Sequence, residues 1–94
     1  MKTYYAIADV NGPISRRIEA ADTDAAVRVL AEADRRAWID EPATDAENDL
    51  GINGDGMGHE DFLESILIAG LRCVWNNEAY DDRLRGWEIW AQQE

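Results

Sequence analysis

The chain has 94 residues and a net charge of −11, from 20 acidic and 9 basic side chains. At 46% hydrophobic residues with four tryptophans it is too apolar for a disordered protein, and its length leaves room for one hydrophobic core. No apolar run is long enough to span a membrane, the single cysteine excludes an internal disulfide, and the acidity disfavours direct binding to nucleic acid or anionic lipid. We therefore expect one cytoplasmic domain over residues 1–94.

The start of the chain predicts a β-hairpin. Residues 3–10 are rich in β-forming side chains, and residues 14–21 alternate between two faces, as a strand does. The Asn-Gly-Pro sequence at 11–13 predicts the turn between these strands, because it combines a residue that accepts a positive φ with a proline, which cannot continue the hydrogen-bond ladder of a sheet.

A helix should follow over residues 23–39. Asp22 or Thr23 can accept the free N–H groups of its first turn, and apolar residues recur at helical spacing from Ala26 and Leu30 onward. Pro42 then ends regular structure.

Residues 41–58 predict a long loop, because they hold Pro42 and four of the seven glycines. From Asp49 in this loop to Glu60 just after it, Asp49, Asn53, Gly54 and Glu60 match positions 1, 5, 6 and 12 of an EF-hand calcium loop. Position 3 is a glycine without a side-chain oxygen, so a calcium-binding loop is the least favoured of our hypotheses.

A second helix is predicted over residues 59–69, and residues 71–76 and 84–92 alternate as two further strands. Gly70 offers a C-terminal cap between helix and strand. A competing interpretation continues the second helix to about Trp75, because short apolar runs fit either structure. The fold class is therefore α+β, in the order ββααββ, with a mainly antiparallel four-stranded sheet and two helices packed on one of its faces.

Acidic residues are concentrated in one segment. Between Arg36 and Arg72 there is no lysine or arginine, and nine carboxylates supply −9 of the net charge. They are Asp40, Glu41, Asp45, Glu47, Asp49, Asp55, Glu60, Asp61 and Glu64. Like charges at this density raise the free energy of a compact state, which suggests a positively charged partner.

The sequence gives little support for an enzyme or a metal site. His59 and Cys73 are the only histidine and cysteine, without the spacing of a zinc site, and Cys73 lies in an apolar alternating run typical of a small buried side chain. No phosphate-binding glycine loop or nucleophile motif occurs. We expect no catalytic residue, no cofactor and no metal.

Aromatic side chains could add to a binding surface. Trp87 aligns with Ile89 and is predicted to be in the core, whereas Trp38, beside the acidic segment, and Trp90 are candidate surface anchors. For each tryptophan taken separately, packing in the core is the favoured prediction. The predicted partner-binding set is the nine carboxylates and Trp38.

The hairpin strand at 16–20 and the helix start at 21–27 together resemble a ββα element common in small phage and mobile-element proteins. The size, the acidity and the missing catalytic motif resemble small phage-encoded anti-CRISPR proteins that act on type I systems, several of which are similar to DNA in charge. The resemblance implies an inhibitor in the bacterial host cytoplasm, bound to the basic DNA-binding surface of an RNA-guided surveillance complex. It assigns no role to individual residues.

Two hypotheses therefore lead: a DNA-mimicking inhibitor that blocks a basic nucleic-acid-binding surface, or a phage or plasmid accessory module whose acidity is incidental.

Overall fold

A computed structural model describes residues 1–9, 13–40, 46, 50, 59–76, 84 and 86–92. In chain order the elements are β1 (Lys2–Asp9), β2 (Pro13–Ala20), α1 (Thr23–Glu32), α2 (Arg35–Asp40), α3 (His59–Ile68), β3 (Leu71–Asn76) and β4 (Trp87–Gln92). Two strands, a helical region and two more strands confirm the predicted α+β class and element order. The turn predicted at 11–13 lies largely outside the described residues.

The sheet has the strand order β2-β1-β4-β3, and every neighbouring pair is antiparallel. β1 is a central strand: Tyr4 pairs with Ile18 of β2 on one side and with Ala91 of β4 on the other. Consecutive residues of β1, from Tyr4 to Ala8, are buried. Because successive side chains of a strand point to opposite faces, both faces of the sheet must be covered.

The prediction that the helices pack on one face is wrong. Tyr4 and Ala6 of β1 share a core cluster with Leu30 of α1, whereas Tyr5 of β1 lies in a separate cluster with Phe62 of α3. We call these the first and second clusters. The sequence obscured this division because β1 is apolar on both faces and so shows no alternation that assigns each face a helix.

The single helix predicted over 23–39 is two helices. Ala33 is extended, with φ −72° and ψ 151°, and Asp34 accepts a hydrogen bond from the Ala37 N–H at 3.2 Å, which caps α2. The Arg35 guanidinium donates to the carbonyl oxygens of Leu30 and Ala31, at 2.7 and 3.0 Å, and so satisfies groups that the end of α1 leaves open. The local cap at Asp34 therefore sets the boundary between the two helices, although the apolar residues continue at helical spacing.

The segment after α3 is a strand, so the interpretation that continued the helix to Trp75 is wrong. Gly70 has φ 85° and its N–H donates to the Leu67 carbonyl at 3.0 Å, which closes the helix in the left-handed conformation that glycine accepts. β3 then pairs with β4, with an irregular register between Cys73 and Trp75. β4 begins at Trp87 rather than at 84, directly after Gly86 at φ 84°.

Part of the predicted loop 41–58 is not a loop. Ala46 and Leu50 are helical and buried in the second cluster, beside Phe62 and Ile66. Their spacing of four residues suits one helical face. The remainder of that segment, and with it the calcium-loop match before His59, lies outside the described residues.

Within the part of the chain that the structure describes, no helix is both long enough and apolar enough to cross a membrane.

Candidate protein-binding face

The helix α3 lies against the second face of the sheet through one apolar stripe. Phe62 and Ile66, four residues apart, are 1% and 0% exposed and pack with Tyr5 and Leu71. Carboxylates in the first turn, Glu60 and Asp61, suit the positive end of the helix dipole. The same spacing that buries the stripe turns the other side of α3 toward solvent.

Three of the predicted binding residues lie together on that solvent side. Glu60, Asp61 and Glu64 are all exposed, and Glu60 and Glu64 occupy adjacent turns of one row. Among the described residues, none forms an ion pair with these three carboxylates. No arginine or lysine occurs on α3 or in the 22 residues before it. Within the part of the chain that the structure describes, the helix therefore presents negative charge that no ion pair offsets.

The other predicted carboxylates are not placed. Asp40 is the last residue of α2, and its side chain is not among those described; Glu41, Asp45, Glu47, Asp49 and Asp55 lie outside the described residues. The structure thus assembles three of the nine acids into one surface.

Trp38 does not join that surface. Its ring packs against the first cluster and meets the Trp87 ring edge-on, with centroids 5.9 Å apart and planes at 65°. Its carbonyl oxygen accepts a hydrogen bond of 2.9 Å from the Arg16 guanidinium. Trp38 is therefore held on the opposite side of the sheet from α3, in a packing role. Trp87 is 5% exposed, which confirms its predicted place in the core.

Trp90, the second candidate anchor, is also only partly exposed. It packs against the second cluster, and its buried indole N–H has no hydrogen-bond partner among the described residues. It contributes packing to the sheet beneath α3 rather than an exposed anchor.

Cys73 is partly buried, with its sulfur 3.4 Å from the Trp75 carbonyl oxygen and 3.8 Å from Glu88 Oε2. Burial, and next the negative charge of Glu88, raise the pKa of the Cys73 thiol. A raised pKa leaves less thiolate at neutral pH, so this sulfur is a poor nucleophile.

An open cavity of about 350 Å³ lies on the other face of the sheet, where α1 begins. Its lining includes Lys2, Tyr4, Thr23 and Arg72. It is thus remote from the exposed carboxylates of α3. Among the described residues, no three histidine, cysteine, aspartate or glutamate side chains are grouped so that they could hold a metal ion.

Sequence reasoning missed the apolar residues on the exposed side of α3. Leu67 and Ile68 are 61% and 79% exposed. The available signal was the unbroken run Ile66 to Ala69: four consecutive apolar residues span more than a full helical turn and cannot all face one core.

Comparison with protein-family models, with curated proteins and with solved structures finds no match to this chain.

Proposed function

We propose that this protein is a non-enzymatic inhibitor whose acidic surface imitates DNA and blocks the basic nucleic-acid-binding surface of a host complex. The observation that carries the proposal is the exposed face of α3, where Glu60, Asp61 and Glu64 stand without a neutralising cation among the described residues.

The charge density of that face supports mimicry. Residues 60 to 64 occupy about 7.5 Å of helix axis, so three carboxylates give roughly one charge per 2.5 Å. Duplex DNA carries one charge per about 1.7 Å of axis. A basic channel that accepts phosphates would meet a similar line of negative charge on α3.

The surrounding sequence extends the same property. The six further carboxylates between Asp40 and Asp55 belong to the segment that leads into α3 and contains no lysine or arginine. Such a segment would steer the protein toward a cationic surface, and association would slow as salt rises.

The proposed partner class is the DNA-binding surface of a type I CRISPR surveillance complex, which the resemblance to anti-CRISPR proteins suggests. In such a complex the displaced and paired strands lie in positively charged channels. A bound acidic protein would deny target DNA access without any chemical step.

The test is a competition assay with the guide-loaded type I complex and a labelled target duplex. The protein should displace the duplex, and E60K/E64K should weaken displacement by about 2 kcal/mol or more, because truncated or reversed close charge pairs at interfaces cost about 2 to 5 kcal/mol. The matched control is D24K/E32K, which makes the same net charge change at exposed residues of α1.

Simultaneous binding of the duplex and this protein to the complex would refute mimicry. Equal losses from E60K/E64K and D24K/E32K would show that only total charge matters, and would favour the accessory-module hypothesis.

A further inference from the structure

The exposed side of α3 carries more than charge. Leu67 and Ile68 are 61% and 79% exposed in the last turn of a helix whose first turns are acidic. Single exposed apolar side chains are common on protein surfaces. Here two large ones are adjacent, and both lie beside a binding candidate.

Helical geometry joins the two parts into one surface. Glu64 is three residues before Leu67 and four before Ile68, the separations at which side chains on a helix are neighbours, with Cβ atoms about 5 to 6 Å apart. From Glu60 to Ile68 the axis advances about 12 Å. We call Glu60, Asp61, Glu64, Leu67 and Ile68 the α3 outer face.

The end of the helix fixes the position of the apolar pair. The Gly70 N–H bonds the Leu67 carbonyl and the Ala69 N–H bonds the Ser65 carbonyl, both at 3.0 Å, so the last turn is closed. Leu71, directly after this turn, is 2% exposed in the second cluster. Leu67 and Ile68 therefore lie on a helix end that is held in place by the buried stripe of α3 and by β3 after it.

We infer that the α3 outer face docks onto a protein surface that carries an apolar cleft about one to two helical turns from a cluster of lysine or arginine side chains. This inference rests on the proposed function and names the partner's chemistry. Cationic groups would meet Glu60, Asp61 and Glu64, and the cleft would receive Leu67 and Ile68.

Charge complementarity selects this occupant over the alternatives. A second copy bound through the same face would bring two sets of three unneutralised carboxylates together, since a two-fold interface repeats one patch on both partners. An anionic membrane would repel the same carboxylates. A protein surface with cationic side chains beside an apolar cleft would contact both the carboxylates and the apolar pair.

A two-part face also predicts a different response to salt. Electrostatic attraction between exposed groups is screened as ionic strength rises, whereas burial of Leu67 and Ile68 is not. A partner with the cleft should keep part of its affinity at high salt, and a purely cationic partner should lose nearly all of it.

Two synthetic peptides of equal charge test the inference: an oligolysine, and an amphipathic helical peptide with the same number of lysines separated by leucines. Fluorescence anisotropy measures the affinity of each for the full chain at low and high salt. We expect the leucine-containing peptide to bind at least about tenfold more tightly, and L67Q/I68Q to remove that advantage while leaving oligolysine binding unchanged.

Glutamine keeps the helix propensity of leucine, so the double variant should remain folded, as circular dichroism would check. V29Q is the matched control, because Val29 is also exposed, at 40%, but lies on α1. It should preserve the preference for the leucine-containing peptide.

Three outcomes would overturn the inference: equal affinity for the two peptides, a preference that survives L67Q/I68Q, or a dimer of the protein that L67Q/I68Q dissociates. Failure of the proposed function would look different. In that case E60Q/D61N/E64Q would leave oligolysine binding unchanged, or the protein would not displace target DNA from the surveillance complex, whatever the peptides show.

Discussion

The two faces of the sheet are covered by helices that differ in how their outer sides are used. On the first face, Arg35 joins α2 to the end of α1, and two contacts fasten this helical layer to the sheet: Arg16 bonds the Trp38 carbonyl, and the Trp38 ring meets Trp87. On the second face, α3 is held by its buried stripe and by the buried start of β3 after it, and it exposes carboxylates and large apolar side chains. The same sheet thus supports one layer committed to packing and one available for binding.

The number of acidic residues by itself does not distinguish the two layers as candidate binding surfaces. α1 also has exposed acids, Asp24 and Glu32, but it has Arg28 within the same helix. α3 has no lysine or arginine. What separates the layers is whether negative charge is offset nearby.

The largest expected effects come from removing the core side chains that anchor the two layers. Phe62→Ala and Leu30→Ala should each lower the free energy of unfolding by about 2 to 5 kcal/mol, because each empties a site that is at most 1% exposed. Because β1 contributes to both clusters, each variant should show one denaturant transition when tryptophan fluorescence and far-UV circular dichroism are compared.

Two separate transitions in either variant would show that the layers are independent folding units rather than two sides of one sheet.

Trp38→Ala should lower the free energy of unfolding by about 2 kcal/mol, because it removes the edge contact with Trp87. The loss is smaller than for a fully buried tryptophan, because the Trp38 ring is partly exposed. Trp38→Phe should lose less. Denaturant titration measures both. Where the variants remain folded, displacement of DNA from the surveillance complex should be unchanged, and a selective loss of displacement would place the binding surface on the first face.

Asp22→Ala tests how much the N-terminal cap of α1 contributes to stability. The Asp22 carboxylate accepts the Ala25 N–H at 2.8 Å, so its removal should cost about 1 kcal/mol, while Asp22→Asn should retain most of the cap. Asp24→Asn, in the same turn, serves as the control. Thermal unfolding monitored by circular dichroism would check the order, and an alanine variant as stable as the wild type would show that α1 is held by packing alone.

The smallest expected effect concerns Cys73, which lies on the face of the sheet that α3 covers. Its labelling by a disulfide reagent should be slow at neutral pH and should rise with a midpoint above the 9.0 of an ordinary thiol, because burial and Glu88 raise its pKa. Glu88→Gln should lower that midpoint only in part, since burial is the larger cause. Because the pKa of Cys73 is raised in the folded protein, the protonated thiol contributes to stability. That contribution is present below the pKa of the thiol in the unfolded chain and is lost as pH rises through its pKa in the folded protein. Rapid labelling at neutral pH would mean that this side of the sheet opens easily.

The sequence predicted the strands and a mainly antiparallel sheet because the signals of the strands are local: side-chain alternation in β2 and β4, and a glycine between α3 and β3. It did not predict which face each helix covers, because Tyr4 and Tyr5 are both apolar enough for a core. It overlooked the break at Asp34, where a side-chain cap competes with periodicity.

For the candidate site, the sequence located the acids Glu60, Asp61 and Glu64 but not their apolar neighbours. Charge can be counted in a sequence, whereas the exposure of Leu67 and Ile68 depends on which side of α3 meets the sheet. Trp38 was assigned to the binding surface because it is adjacent in sequence to acids, and only the tertiary contact with Trp87 shows its packing role.

The strand order also governs how the chain is made. β1 and β4, the first and last strands, are direct neighbours in the middle of the sheet, so Tyr4 meets Ala91 across almost the whole sequence. A nascent chain on the ribosome can form the β1–β2 hairpin early, but the centre of the sheet stays open until β4 has been synthesised and has left the exit tunnel. Contacts between such distant residues slow folding. Until then the apolar edge of β1 is exposed to other chains, and the acidic segment between the hairpin and β3 would keep those chains apart by mutual repulsion.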